Sequence, residues 1–258
     1  MEIVNYLTEC VKNNIPVSFS KYGDGECNCM FHRTTVSDSN CDKDTYSLKL
    51  SESLLKSFKY IVDDSDNNYI GKWPTPVYTD KFNNLVTSDV KWVDYNSLIF
   101  DENNDKNKAI LYKTIKESKL KKIMICNKLL IKNKILLNID ELVIIPFNSW
   151  FDDSFEEILN TVKNLIGSDG NHIVMTSCGM SAKVLICELK KIYPKGIYLD
   201  IGSGLDRICT KRESRGWKYN YEYLTTILKD CLPDDWEDSK YNELYSESSN
   251  KLGLHLPK

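Results

Sequence analysis

The chain has 258 residues and a formal net charge of −3, with 41% hydrophobic and 28% charged residues. This composition is typical of a soluble globular protein, and the length suits one large domain with a sizeable core. The slightly acidic balance supplies no basic field, so a nucleic-acid-binding protein is not expected. No apolar run approaches the length of a membrane-spanning helix, so we also expect no membrane span.

The nine cysteines are scattered along the chain, and none forms a C-x-x-C pair. Cys27, Cys29 and Cys41 lack the spacing of a zinc-binding module. Cys126 and Cys187 lie in apolar runs, where a thiol behaves as a small hydrophobic group. Since the N-terminus also lacks a signal-peptide pattern, the sequence predicts reduced cysteines and a cytoplasmic protein.

The first elements alternate between helix and strand. Apolar periodicity predicts a helix over residues 2–14 and a β-prone run predicts a strand over residues 17–20. Further helices are expected from residue 27 and over residues 45–62, and a short strand over residues 69–71.

The middle of the chain is harder to interpret. Trp73 stands between a lysine and a proline, which predicts either an ordered loop over a pocket or a rigid surface connection. Residues 78–120 are expected to hold two or three short helices and an Asn- and Lys-rich loop over residues 101–108.

The second half has clearer patterns. Strands are predicted over residues 122–126, 142–146, 172–176 and 195–200, and helices over residues 151–166 and 179–193. Continuous apolar strands that alternate with helices predict an α/β fold with a mostly parallel sheet covered by helices on both faces, as in doubly wound folds. We expect this domain to span residues 1–232, followed by an acidic extension over residues 233–258 whose Trp236, Tyr241 and Tyr245 can pack back.

Polar groups follow several of the predicted strands. They are Gly23 to Glu26, Asn127 and Lys128, Asn148, Ser177 to Ser181, and Asp200 to Asp206. Sheets of this type bind ligands at the carboxyl ends of their strands. The sequence therefore predicts one site at that edge.

The first of these groups is the segment Gly23-Asp24-Gly25-Glu26. Its glycines allow a sharp turn, and two carboxylates two residues apart can point the same way from an extended or turning backbone. Such oxygen ligands suit Mg²⁺ or Mn²⁺, which take further ligands from water and substrate phosphates. The alternative is an ordinary polar turn, because Gly and Asp are common in turns.

A second group, Ser177 to Ser181, joins a predicted strand to a predicted helix. The N–H groups at a helix start favour anions, so a diphosphate is one candidate ligand, with Lys183 close by. The alternative is that Ser177 or Ser181 caps the helix.

The third group, Asp200 to Asp206, resembles the first motif of S-adenosylmethionine-dependent methyltransferases, since Asp200 is followed by Gly202 and Gly204. In those enzymes the motif opens the domain, whereas here it follows the last predicted strand. Asp206 also stands where a further glycine is usual.

Taken in order, four segments resemble the GT-D-type glycosyltransferases, a family first catalogued as a bacterial domain of unknown function. They are residues 18–26 with Gly-Asp-Gly-Glu, residues 145–151 with Pro-x-Asn-Ser-aromatic, residues 177–185 with a Gly-containing turn into a helix, and residues 198–202 with Asp-Ile-Gly.

The resemblance implies a Rossmann-like enzyme that transfers a hexosyl or pentosyl group from a nucleotide-sugar donor, typically a UDP-sugar, to a glycan or glycoconjugate acceptor. It implies Mn²⁺ or Mg²⁺ held by Asp24 and Glu26 between the protein and the donor diphosphate. Asp200 and Asp206 are then expected near the reacting sugar, as catalytic residues together with Asp24 and Glu26.

The residues expected around the nucleotide are Lys21, Tyr22, Gly23, Gly25, Asn148, Ser177, Gly179 and Ser181. The chain departs from the family at Lys21, where Arg is usual, and at Ser203, where His is usual. Lys cannot make the bidentate contact of Arg. Two alternatives stay open at this point: a methyltransferase that uses Asp200, Gly202 and Gly204, and a sugar-nucleotide-binding module without catalysis.

Overall fold

The structure is a computed structural model, and it describes residues 2–32, 45–64, 67–101, 103–146, 149–168, 170–211, 221–234 and 236. Seven strands occur in these ranges: β1 Val17–Tyr22, β2 Asn68–Lys72, β3 Trp92–Asp94, β4 Lys121–Asn127, β5 Glu141–Ile145, β6 His172–Ser177 and β7 Ile197–Asp200. They form one sheet in the order β3-β2-β1-β7-β6-β4-β5. Each neighbouring pair runs parallel.

The helices of the described residues are α1 Ile3–Asn13, α2 Asp24–His32, α3 Leu48–Asp63, α4 Pro76–Asn83, α5 Asp105–Glu117, α6 Asn133–Leu136, α7 Trp150–Ile166, α8 Ser181–Ile192, α9 Asp206–Thr210 and α10 Tyr221–Ile227. Short 3₁₀ helices occur at Tyr95–Leu98 and Lys128–Leu130. Within this part of the chain, no helix is long and apolar enough to cross a membrane.

The side chains of each strand alternate between two apolar cores, as the period of two requires. Ile123 and Ile125 of β4 lie in the first core, under α2, α3, α4, α7 and α8. Met124 and Cys126 lie in the second core, under α1, α5, α6, α9 and α10. Helices therefore cover both faces of the sheet, as predicted.

The two central strands come from opposite ends of the chain. In β1, Phe19 pairs with Leu199 of β7 on one side, and Lys21 pairs with Gly71 of β2 on the other. Phe19 points into the second core and Tyr22 into the first. The carboxyl ends of β1 and β7 consequently open at the same edge of the sheet.

Most of the predicted elements are confirmed. The predicted strands at residues 17–20, 69–71, 122–126, 142–146, 172–176 and 195–200 match β1, β2, β4, β5, β6 and β7. The sheet is wholly parallel in the described residues. β3 was missed because it has only three residues and carries no apolar run.

The predicted loop over residues 101–108 is wrong in its second half, because α5 begins at Asp105. The reason is a buried ion-pair cluster. Lys108 has only 2% of its surface exposed, its ammonium contacts the Asp101 and Asp105 carboxylates, and it donates to the Ile99 carbonyl at 2.6 Å. In the sequence this lysine is indistinguishable from a solvent-exposed one.

Trp236 packs back onto the domain, as predicted. It is buried in the second core, and its indole N–H donates to the Tyr221 hydroxyl at 3.0 Å. Tyr241 and Tyr245 lie outside the described residues.

We expect Lys108→Met to lower the free energy of unfolding by about 3–5 kcal/mol, because it leaves the Asp101 and Asp105 carboxylates without their buried cation. The control is Lys113→Met in the same helix, because the side chain of Lys113 is 42% exposed and forms surface ion pairs. That change should cost about 1 kcal/mol or less. Urea denaturation of both variants measures the difference, and equal losses would contradict the buried cluster.

Candidate active site at the carboxyl edge of the sheet

Three of the predicted segments meet where β1, β6 and β7 end. The backbone N–H of Lys21, in β1, donates to Oδ2 of Asp200, the last residue of β7, at 3.1 Å. The Ser177 hydroxyl, at the end of β6, donates to the Gly202 carbonyl at 2.7 Å. The predicted convergence at this edge is therefore confirmed for these segments.

The segment from Gly23 to Glu26 is not a turn that presents two parallel carboxylates. Asp24 begins α2, so Asp24, Gly25 and Glu26 form its first helical turn. Residues two apart on a helix point about 200° away from each other. Accordingly Asp24 is exposed, whereas only 5% of the surface of Glu26 is exposed, and the expectation that both carboxylates point the same way is wrong.

Glu26 folds back onto the start of its own helix. Its Oε2 atom accepts from the N–H of Gly23 at 2.9 Å, in the manner of the glutamate of a capping box. Its Oε1 atom lies 2.7 Å from Nζ of Lys183 in α8. Both carboxylate oxygens of Glu26 thus have a donor inside the protein.

Lys183 joins two carboxylates from different elements. Its ammonium lies 2.7 Å from Oε1 of Glu26 and 3.0 Å from Oδ2 of Asp200, and it donates to the Gly179 carbonyl at 3.2 Å. These three acceptors match the three N–H groups of an ammonium. We call Glu26, Lys183 and Asp200 the ion triad. Each has 5% or less of its surface exposed.

Lys183 is charged despite its burial. Burial alone lowers the pKa of a lysine, but here the Asp200 and Glu26 carboxylates outweigh it and hold the pKa of Lys183 well above its usual value. The triad therefore holds a charged ammonium between two carboxyl groups, and all three groups are shielded from water.

Lys21 lies beside the triad on the other face of the sheet. Its ammonium is 5.3 Å from the centre of the Tyr95 ring, and a Cβ atom at Gly202 would overlap it. Gly202 has a φ of +50°, which glycine adopts at little cost. The close approach of Lys21 and the backbone angle together explain why the residue at position 202, two residues after Asp200, is a glycine.

Tyr22 is buried in the protein beneath this edge. It is fully buried in the first core, where its ring makes edge contacts with Phe58 and Phe82. Burial raises the pKa of Tyr22 well above its usual value. This environment makes Tyr22 a core residue, in contrast to the predicted contact with a nucleotide.

The loop between β6 and α8 is built differently from a simple capped helix. No side chain caps the start of α8, so the alternative role of Ser177 or Ser181 as a cap is not observed. Gly179 has a φ of +70°, and Ser181 is buried with an Oγ atom that has no hydrogen-bond partner among the described residues. Trp150 of α7 donates to the Cys178 carbonyl at 3.2 Å and so fixes this loop.

One of the other predicted site residues, Asp206, is not brought to the triad. Asn148 lies outside the described residues. Asp206 begins α9, and its carboxylate adds to the effect of burial in raising the pKa values of Tyr112, Cys126 and Cys209, which belong to the second core. The second core lies on the opposite face of the sheet from Lys183 and the side chain of Asp200.

The sequence indicated the aromatic side of the site only in part, through the alternative that Trp73 lies in an ordered loop over a pocket. Trp73, after β2, and Tyr95, after β3, meet edge to face with their ring centres 4.7 Å apart. A Cβ atom at Gly23 would lie 3.2 Å from Tyr95 and 3.4 Å from Trp73. Both rings thus pack against the residue that precedes Asp24, and Trp73 is half-buried at that position. The only sequence signal was the tryptophan among prolines.

The Gly202-x-Gly204 pattern is explained by packing within the protein. The space that a Cβ atom would need is filled at Gly202 by the Lys21 ammonium and at Gly204 by the Leu98 carbonyl. In a dinucleotide-binding glycine loop, by contrast, one glycine leaves this space open so that the backbone can approach the ligand. The geometry argues against the methyltransferase interpretation.

Asp24 and Glu26 differ in how available their carboxylates are to bind a divalent cation. Asp24 supplies an exposed carboxylate at the edge of the sheet, which fits a Mg²⁺ or Mn²⁺ ion that takes its other ligands from water and phosphates. Glu26 already accepts from Lys183 and Gly23. Among the described residues, no group of three or more His, Cys, Asp or Glu side chains is placed to hold a metal ion.

Three solved structures resemble this one. One, described as showing that the highly conserved domain of unknown function 1792 has a distinct glycosyltransferase fold, has a TM-score of 0.56 and 16% identity over 89% of this chain and 88% of the other. A selenomethionine-substituted structure of the same domain gives 0.58 and 15% over the same shares. A third, described as a new glycosyltransferase of this type from Streptococcus sanguinis, gives 0.55 and 17% over 92% of this chain and 95% of the other.

The chain has a glycosyltransferase fold. This confirms, at the level of the fold, the resemblance that the four sequence segments indicated. No family profile and no curated protein matches the sequence.

We expect Gly204→Ala to lower the free energy of unfolding by about 1–3 kcal/mol, because the new Cβ atom must displace the Leu98 carbonyl. The control is Gly167→Ala, where φ is +76° and no atom lies within 4 Å of the added Cβ. That variant should lose stability through backbone strain alone, about 1–3 kcal/mol, because φ +76° with ψ −164° is a conformation almost exclusive to glycine. Urea denaturation compares the two, and a Gly204→Ala protein as stable as the wild type would contradict the packing explanation.

Proposed function

We propose that this protein is a metal-dependent glycosyltransferase that moves a hexosyl or pentosyl group from a nucleotide-sugar donor, with a UDP-sugar as the first candidate, to a glycan or glycoconjugate acceptor. The observation that carries the proposal is the exposed Asp24 carboxylate beside a buried ion triad, at the ligand-binding edge of a glycosyltransferase fold. The eight buried thiols of the described residues fit the proposed reducing, cytoplasmic setting.

The proposed donor lies with its diphosphate between Asp24 and the loop that begins α8. Bound Mn²⁺ or Mg²⁺ would neutralise charge on the departing nucleoside diphosphate. Asp24 would hold this ion. The ammonium of Lys21 and the backbone around Gly179 would add positive potential at the same edge. Lys21 and the loop at Gly179 are held by the contacts described above, so little reorganisation of these two groups accompanies binding.

Asp200 takes a supporting part in this proposal. A general base must reach the proton that it removes. Only 1% of the surface of Asp200 is exposed, and its Oδ2 atom already accepts from Lys183 and from the Lys21 N–H. We therefore assign Asp200 to the orientation of Lys183 and β1 in place of the predicted role as a catalytic residue near the reacting sugar.

One observation favours a second candidate, a sugar-nucleotide-binding module without catalysis. The Glu26 carboxylate is already compensated by Lys183, which leaves Asp24 as the exposed carboxylate of the predicted pair. Such a module would bind the nucleotide together with a metal ion. It would not transfer the sugar, and it would not show even slow hydrolysis of the donor.

Thermal-shift measurements with UDP, GDP, CMP and S-adenosylmethionine, each with and without Mn²⁺, test the proposal. A nucleotide at a hundred times its Kd stabilises the folded state by about 2.7 kcal/mol, or roughly 5–10 °C for a chain of this size. We expect this shift with one nucleoside diphosphate and only when Mn²⁺ is present. A shift with S-adenosylmethionine alone would overturn the proposal.

Asp24→Asn should abolish most of the Mn²⁺-dependent shift and the transfer activity while the unliganded melting temperature stays within a few degrees of wild type. The reason is that the change removes one exposed charge and no buried contact. Asp153→Asn is the matched control, because Asp153 is also exposed in the first turn of a helix, α7. An Asp24→Asn protein that keeps full, Mn²⁺-dependent activity would contradict the assigned role.

A further inference from the structure

The position of Lys183 has a consequence for the order in which metal and nucleotide bind. A divalent cation near Asp24 would gain most from a second carboxylate close by, and Glu26 is the carboxylate that the sequence offers. In the structure, however, a lysine ammonium lies 2.7 Å from Oε1 of Glu26. The place that a cation would take on this carboxylate is filled by a side chain of the protein.

The second carboxylate oxygen of Glu26 also accepts a hydrogen bond within the protein. Its Oε2 atom accepts from the Gly23 N–H at 2.9 Å, a bond that also closes the first turn of α2. Lys183 in turn is held by Asp200 at 3.0 Å and by the Gly179 carbonyl at 3.2 Å. The ammonium therefore cannot swing away without leaving two buried carboxylates without their compensating cation.

We infer that Lys183 is a positioning residue that withholds Glu26 from the metal, so that the cation binds together with the nucleotide and not before it. Asp24 alone gives a hard cation one exposed carboxylate. The diphosphate oxygens supply the remaining ligands, as is usual for Mg²⁺-type sites. This inference rests on the proposed function for the nucleotide, but its statement about Mn²⁺ alone does not.

The first test measures free Mn²⁺ by electron paramagnetic resonance, with Mn²⁺ alone as the probe. The wild-type protein should bind Mn²⁺ weakly without nucleotide. Lys183→Met frees the Glu26 and Asp200 carboxylates for a cation, and we expect its affinity for Mn²⁺ alone to rise by about tenfold or more. Mn²⁺ should also raise the melting temperature of Lys183→Met and leave that of the wild type almost unchanged.

A structural role alone predicts a loss of stability in Lys183→Met and no gain of metal affinity. Lys190→Met is the matched control, because Lys190 is also a buried lysine of α8 and pairs with Asp64 at 3.2 Å, away from the triad. It should lose stability and should gain no affinity for Mn²⁺. Equal gains in both variants would overturn the inference.

A second variant keeps the test valid if Lys183→Met does not fold. Lys183→Met combined with Asp200→Asn leaves only Glu26 without a cation, and the amide oxygen introduced by the second substitution can still accept from the Lys21 N–H. This double variant should also bind Mn²⁺ more tightly than wild type. Tight binding of Mn²⁺ alone by the wild type, or no gain in the folded double variant, would overturn the inference.

Two different failures remain distinguishable. If the wild type shows no Mn²⁺-dependent shift with any nucleoside diphosphate, the proposed function fails, whatever Lys183→Met does. If the wild type shows that shift and the Lys183 variants gain no affinity for Mn²⁺ alone, the proposed function stands and the inference about Lys183 is wrong.

Discussion

The carboxyl edge of the sheet depends on the buried ammonium of Lys183. Two carboxylates from distant segments, Glu26 and Asp200, are shielded from water there, and neither is stable at such a place without a compensating cation. One side chain of α8 supplies that cation to both of them. The same contacts hold the start of α2 against the ends of β6 and β7. The ion pairs that neutralise the site therefore also pack its elements together.

The fold was largely predictable because its strands are apolar runs flanked by amphipathic helices, and these patterns are local. Tertiary contacts decided the parts that were missed. β3 has three residues and gains its place by pairing with β2. The start of α5 looked like a polar loop, but Lys108 is buried there among carboxylates. Burial of a charged side chain depends on partners that local periodicity does not reveal.

The candidate site was predictable in its location and less so in its geometry. Parallel strands bring their carboxyl ends together, so Lys21, Ser177 and Asp200 were expected near one another, and they are. The directions of Asp24 and Glu26 were wrong because a helix begins at Asp24 in place of a turn. The sequence placed Lys183 close to the loop from Ser177 to Ser181, but the contact of Lys183 with Glu26 joins segments far apart in sequence. Local patterns do not encode such a pairing.

The pairing of β1 with β7 also shapes how the chain must fold during synthesis. The hydrogen bond between Lys21 and Asp200 spans 179 residues, and both strands lie at the centre of the sheet. At a translation rate of about 5–20 residues per second, β7 is synthesised roughly 10–35 s after β1. During that time β1 presents unpaired backbone groups, the kind of edge that invites association with other chains. Closing the centre of the sheet is therefore a late event on the ribosome, and the ion triad can assemble only after it.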